Sequence, residues 1–328
     1  MNTIRSNHPL HTWFRQRYFL PLILIVSILI FSRFSPLFLT VPNFKNILTD
    51  NSHIFIMAFG LSLVMGGGGI DFSIGYQVSI VASVTSIFLQ SGVNPWLSML
   101  AGLGLGLVCG CLNGIAVAYL DIEPYIATLG TQIIFKGMSY IISKNHIFTL
   151  IPRSFQDLMN RKILNNINFD LWIVLFCFIV TTLLLHYTYY GCYIKALAEN
   201  EQVLSNCKIS PRKIKASTYI LASLFYALQA FVLISKKGFA TPSVAVEAEV
   251  TGILAIYFGG IYSCSLYQSK GLMASLWLLL GTFTLVTIEN GIQLAGWGQF
   301  VHYVIEGCIL LFAIRIWHFQ HPRRSAQQ

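Results

Sequence analysis

Charge is what this sequence has least of. Only 10% of its 328 residues are Asp, Glu, Lys or Arg, where a soluble domain carries roughly 25%. With 55% hydrophobic residues and a mean hydropathy of +0.67, the chain cannot cover a water-facing surface. Seven cysteines (Cys109, Cys111, Cys177, Cys192, Cys207, Cys264, Cys308) are scattered, most of them inside apolar runs, and no Cys-x-x-Cys pair occurs. They read as small buried hydrophobes rather than as metal ligands or a disulfide framework. The eight histidines are equally dispersed and no His-Glu-x-x-His occurs, so no metal and no other cofactor is expected. A Gly-Lys-Ser/Thr phosphate loop is also missing, which excludes nucleotide hydrolysis of that type by this chain. The net charge of +9 is no nucleic-acid signal, because the basic residues lie between apolar runs and not on one interleaved face.

What the chain does have is apolar length. A spanning helix needs roughly 20 largely apolar residues. The first candidate is Tyr18 to Leu39, preceded by Arg5, Arg15 and Arg17 and closed by Pro36 and Pro42. It exceeds the roughly 7–15 residues of a cleavable signal core and no small-x-small site follows, so it reads as an uncleaved helix. Further spans are expected at about 53–65, 74–89, 96–120, 125–143, 171–189, 216–234, 250–262, 272–288 and 300–317. The fold class is therefore an all-α polytopic membrane protein with about ten transmembrane helices, a single membrane domain over residues 1–328. The second and eighth spans are short. Each abuts a glycine run, Gly66–Gly69 and Gly259–Gly260, which is expected to interrupt it. Asn290-Gly291 is expected to turn the chain after the ninth span.

Between the second and third spans stands Met-Gly-Gly-Gly-Gly-Ile-Asp-Phe-Ser-Ile-Gly, from Met65 to Gly75. Glycine allows a tight turn there, which would hold Asp71 near the bilayer. A carboxylate so placed is a functional candidate, although Asp and Asn also favour turns and caps for purely structural reasons. Asp71, Phe72, Ser73, Asn113, Thr128, Glu249 and Asn290 are the candidates for a translocation pathway. In the fourth span Gly102, Gly106, Gly110 and Gly114 recur at every fourth residue, which makes one smooth ridge for close helix packing. Lys136 lies inside the fifth span and should face a polar cavity, pair with a carboxylate, or snorkel. The regions Asn145–Asp170 and Tyr190–Lys215 are too polar to span.

Orientation follows the basic residues. With the N-terminus inside, one side carries twelve Lys/Arg, mostly in the N-terminal tail, Tyr190–Lys215 and the C-terminal tail. The other carries seven: Lys45, Lys144, Arg153, Arg161, Lys162, Lys236 and Lys237. This bias favours cytoplasmic N- and C-termini. An internal echo pairs Asn113-Gly114-Ile115 with Asn290-Gly291-Ile292, Gly130 with Gly307 and Gly104 with Gly281. Halves at about 18–170 and 171–318 would each hold five spans and so face opposite ways, as in inverted-repeat transporters.

The motifs have a family likeness. Gly68-Gly69-Ile70-Asp71-Phe72-Ser73-Ile74-Gly75 resembles the G-G-I-D-[LF]-S-[VI]-G signature of ribose-type permeases of bacterial ABC importers. Leu112-Asn113-Gly114 resembles that family's L-N-G, and Pro124-Tyr125-Ile126-Ala127-Thr128-Leu129-Gly130 its P-x-I-x-T-L-G. Lys136-Gly137 stands where the family usually has Arg-Gly. The resemblance is strong over Ala58–Ile142 and weaker over Ala196–Leu311. It implies a bacterial inner-membrane, multi-pass permease that moves a monosaccharide or related small polar solute inward and does no covalent chemistry. The implied partners are a separate ATP-binding cassette ATPase subunit, a second permease subunit in a homo- or heterodimer, a periplasmic solute-binding protein and membrane lipid. In the loop 190–215, Ala196, Leu197, Asn200, Val203, Leu204 and Ile209 would form the ATPase-coupling element.

The second half departs from the pattern. Val203 and Leu204 replace the alanines of the family's coupling loop, Lys208 replaces its glycine, and Thr251 replaces an acid of its E-L-D-A-I-A-A stretch. Ser263 to Ser269 stands where the second glycine-rich turn would be. Such changes suit a diverged or inactive paralogue in a heteromeric transporter as well as a working subunit. An ion-coupled carrier without an ATPase would need several intramembrane acids, and Asp71, Glu289 and Glu306 are the candidates. A membrane enzyme would need a catalytic cluster in the spans, which the sequence does not offer.

Overall fold

The computed structural model describes residues 9–148, 151–163, 167–262 and 272–320. The N-terminal Arg5, the Ser263–Ser269 stretch, Lys270 and the basic tail with Arg323 and Arg324 lie outside them.

Fourteen α-helices and one two-stranded hairpin are described: α1 (Pro9–Phe34), α2 (Val41–Asp50), α3 (Ser52–Gly66), α4 (Ile74–Gln90), α5 (Pro95–Ala118), α6 (Pro124–Ser143), α7 (Arg153–Asn160), β1 (Lys162–Ile163), β2 (Ile167–Asn168), α8 (Phe169–Thr182, continued by a π-helical turn Leu183–Tyr187), α9 (Tyr189–Glu199), α10 (Glu201–Asn206), α11 (Pro211–Lys237), α12 (Ala248–Tyr262), α13 (Leu272–Leu294) and α14 (Gln299–Gln320). The class is all-α and polytopic. Four helices, α5, α8 with its π turn, α11 and α13, are long and apolar enough to cross a membrane, and the bent pair α2–α3 makes a fifth if it is one span. Leu20–Phe34, Ile74–Gln90, Ala248–Gly259 and Phe300–Leu311 are shorter apolar helices.

Four expectations need correction. The first helix stops at Phe34, not Leu39: Ser35 precedes Pro36, and a residue before proline avoids the helical region. Pro42 then sits near the start of a separate helix, α2, where a missing N–H costs nothing. At the other end of the chain, α12 continues through Gly259 and Gly260 to Tyr262, and α13 through Asn290-Gly291 to Leu294. The turn after α13 is made by Gly296 and Gly298, with φ of +71° and +76°.

The chain divides into two compact units, Leu48–Ile253 and Met1–Ile47 with Leu254–Gln328. In the first, α11 is central: 72% of its most apolar window is buried, against 28% for α8. Its seam with α5 is the glycine ridge. A Cβ at Gly106 would lie 3.0 Å from Ala227 Cβ, one at Gly110 would strike Ser223, and one at Gly114 would lie 3.0 Å from the Ala216 carbonyl. The ridge is thus a packing face, as its spacing implies. A buried ion pair ties three elements of this unit together: Lys236 Nζ lies 2.8 Å from Asp170 Oδ2, which also accepts from Ser52 Oγ at 2.8 Å.

In the second unit Phe31, Phe38, Ile288 and Ile292 form an apolar core. Gly291 faces the Phe31 ring. Gly259 and Gly281 let the α12 and α13 backbones meet: a Cβ at Gly259 would lie 2.6 Å from Leu278 Cα.

Candidate functional site

The site forms where α3 stops. Gly68 takes φ +82°, a conformation that L side chains avoid, and the chain stays non-helical until Ile74. Backbone groups freed at membrane depth need partners, and here side chains supply them. Tyr219 Oη donates to the Ile70 carbonyl at 3.2 Å. Phe72 N–H donates to Thr128 Oγ1 at 3.1 Å. Ser73 N–H donates to Asp71 Oδ1 at 2.8 Å.

The same carboxylate starts a relay across three helices. Ser73 Oγ donates to Asp71 Oδ1 at 2.6 Å, Asn113 Nδ2 to Ser73 Oγ at 2.7 Å, and Thr131 Oγ1 to Asn113 Oδ1 at 2.6 Å. Asp71 is 1% exposed, and Ser73, Asn113 and Thr128 are fully buried. The relay therefore clamps the break to α5 and α6. Asp71 is not the solvated aspartate of an ordinary turn.

The other candidates are placed differently. Phe72 is half-buried beside the break. Glu249, in the first turn of α12, accepts from Gln132 Nε2 of α6 at 2.9 Å, and its Oε2 faces Gly75. Asn290 belongs to the other compact unit, where it accepts from Asn43 Nδ2 at 2.9 Å. That unit also brings Glu289, His302 and Glu306 together, with one ligand atom from each within 4.8 Å of the others. The sequence reading singled out the two acids but not the histidine. Thr131, Gln132 and Tyr219 were also missed. Thr131 and Gln132 lie three and four residues after Thr128 and so share its face of α6, which was a readable signal.

Beside the break lies the polar segment 190–215. It folds as α9 and α10, with Asn200 capping α10 by accepting from Gln202 N–H at 2.9 Å. Leu197 and Leu204 are buried in the chain, at 5% and 2% exposure. Val203 is exposed, Ala196 and Ile209 half-buried. The apolar anchors of this segment therefore point inward, with Val203 the outward exception. Leu197 and its neighbour Ala198 meet the glycine turn: a Cβ at Gly67 would lie 3.3 Å from Leu197 Cδ2, and one at Gly68 would lie 3.4 Å from Ala198 Cα. A cavity of about 230 Å³ opens between the turn and this segment, bordered by Gly67–Gly69, Glu123, Ala198, Glu201, Lys215 and Tyr219 among others.

Comparison with known proteins agrees with the motifs. The family model "Branched-chain amino acid transport system / permease component" matches residues 43–314. The ribose import permease protein of Escherichia coli K12 is 28% identical over 89% of this chain and 91% of its own length. The galactose/methyl galactoside import permease protein of the same organism is 27% identical over 93% and 94%. The autoinducer 2 import system permease protein of Escherichia coli O157:H7 is 27% identical over 89% and 88%. No solved structure matches.

Proposed function

This chain belongs to the family of branched-chain amino acid transport system permease components, a transport subunit and not an enzyme, and on that premise we propose that it is the inner-membrane permease of an ATP-driven importer for a monosaccharide or a related small polar solute. Relatives named for ribose, galactose and autoinducer 2 import support the solute class. In this reading the chain spans the membrane about ten times, as two five-helix halves in opposed orientation, with both termini cytoplasmic. It pairs with a second permease subunit, takes solute from a periplasmic binding protein and is driven by a separate ATPase.

One observation carries the coupling: α9 packs directly against the glycine turn through Leu197 and Ala198. An ATPase drives a pathway only by moving an element exposed to the cytoplasm. Movement of α9 would reach Gly67 and Gly68 through Leu197 and Ala198, and from there the Asp71–Ser73–Asn113–Thr131 relay would carry it to α4, α5 and α6. The surface left for the ATPase is the outward side of α9–α10, including Asn200 and Val203. Uptake of radiolabelled ribose and galactose into vesicles holding the reconstituted complex, with and without ATP, tests the reading. ATP-dependent uptake of either sugar is expected. ATP-independent uptake that follows an imposed ion gradient would overturn it in favour of an ion-coupled carrier.

A further inference from the structure

Lys136 belongs neither to the relay nor to the ion pair at Asp170. With Gln132 it straddles the middle of the twenty-residue α6, one turn apart on the same face. It is exposed, and an ammonium facing lipid at that depth is costly. Its surroundings are not lipid-like. Lys136 Nζ stands over the Tyr76 ring of α4, 5.6 Å from the centroid. Gln132 donates to Glu249 Oε1 at 2.9 Å. The segment carrying Glu249 is fastened onto these helices: Ser139 Oγ donates to the Pro242 carbonyl at 2.9 Å, and Ala245 N–H to Ser79 Oγ at 3.2 Å. Beside Lys136, Gly137 has open space where a Cβ would go.

We propose that Tyr76, Gln132, Lys136 and Glu249 line a water-filled stretch of the solute path, built for a neutral polyhydroxylated molecule. One cation and one anion balance, so the stretch favours neither sign of solute charge. An amide and a carboxylate accept from hydroxyl groups and the amide donates to them. The half-exposed tyrosine ring offers a flat apolar surface to the C–H face of a sugar. The proposal names the solute-facing part of the importer read above and rests on that reading.

Cysteine accessibility in the assembled transporter tests it without knowing the solute. Lys136→Cys should react with charged, membrane-impermeant methanethiosulfonates at least about tenfold faster than Ile134→Cys, because a thiol in lipid meets neither the reagent nor the water that ionises it. Ile134 lies two residues away, on the opposite flank of α6, and is 54% exposed. The wild-type chain supplies the background from its native cysteines. With Lys136 gone, Glu249 should make the cationic reagent about fivefold faster than the anionic one, and adding Glu249→Gln should bring the ratio back to about one. Equal inertness of Lys136→Cys and Ile134→Cys would place Lys136 in lipid and overturn the proposal. A reagent preference indifferent to Glu249→Gln would overturn it too, since the two charges would not share one aqueous space. ATP-independent uptake with labelling intact would instead sink the importer reading and leave the water-filled stretch standing.

Discussion

At Gly66–Gly69 a helix stops; at Gly259–Gly260 it does not. Both sites looked alike in sequence, a short apolar span meeting adjacent glycines. At the first, Gly68 turns left-handed and the three residues Ile70, Phe72 and Ser73 each find a side-chain partner for a freed backbone group, in Tyr219, Thr128 and Asp71. At Gly259 the lost side chain is used for contact, and the α13 backbone at Leu278 and Gly281 moves in where a Cβ would be. Glycine permits a break and permits close packing. The polar residues around it bear on which occurs, because the backbone groups freed by a broken helix inside a membrane need partners.

The largest effects should come from filling the packing glycines. Gly110→Leu drives a side chain into Ser223 and Ile220, and Gly281→Leu drives one into Gly259. Overpacking typically costs about 1–3 kcal/mol and more where backbone must move. Both variants should lose folded protein from the membrane, measured as the monodisperse fraction after detergent extraction. Gly104→Leu, on the same α5 but facing open space, should retain it. Normal abundance of Gly110→Leu with lost transport would show that the ridge acts in the pathway and not in packing.

Next in size is Asp71→Ala. It removes the acceptor of both the Ser73 N–H and the Ser73 hydroxyl, and leaving buried donors unpaired costs about 1–3 kcal/mol. The protein should insert, melt at lower temperature and transport poorly. Asp71→Asn keeps an acceptor oxygen and should recover part of both. Wild-type uptake by the alanine variant would remove Asp71 from the functional site.

These contrasts mark what was legible in the sequence. Apolar run length was enough to find the long apolar helices but not α2 or α7, and the four-residue spacing of Gly102–Gly114 was enough to mark a packing face. The Gly-Gly-Ile-Asp-Phe-Ser motif located the break. What sequence could not show was the partner. Asn290-Gly291 reads as a turn until Phe31 is seen covering the glycine. Leu197 and Leu204 read as anchors for a docking protein, yet they are anchors for the chain itself. Apolar periodicity shows that a helix has a buried face, without saying whose surface buries it. Thr131 and Gln132 passed unnoticed because a few polar residues in an apolar helix are unremarkable until a second polar residue is placed against them.

A smaller effect should follow at the turn itself. Gly68→Ala puts a side chain on a residue at φ +82°, and an L residue there costs about 1–2 kcal/mol. Space is available, since the nearest atom to the new Cβ would be Ala198 Cα at 3.4 Å. Gly259→Ala has an ordinary φ but meets Leu278 Cα at 2.6 Å, so the two variants fail for different reasons. The Gly68 variant should lose stability alone. The Gly259 variant should also change the packing of α12 on α13, seen as altered protection in hydrogen exchange. If Gly259→Ala is the milder of the two in melting temperature, the contrast between turn and contact glycines is wrong.

The smallest effect runs the other way. Lys208 closes α10 with φ +59°, its N–H donating to the Ser205 carbonyl at 2.9 Å, while the Ile209 N–H returns to Leu204 at 2.9 Å. That is the geometry of a helix C-terminus that glycine normally supplies, and the resembling family has a glycine at this position. The lysine side chain is exposed, so what it contributes to set against its backbone strain is small. Lys208→Gly removes that strain but adds freedom to the unfolded chain, which leaves a net gain of about 0.5–1 kcal/mol. The melting temperature in detergent should rise by about 1–3 °C. ATP-driven uptake should stay the same or improve, because α10 would be closed more firmly where it follows α9. A fall in melting temperature would mean that the Lys208 side chain makes a compensating contact. A fall in uptake at unchanged stability would mean instead that this charge is part of the surface gripped by the ATPase.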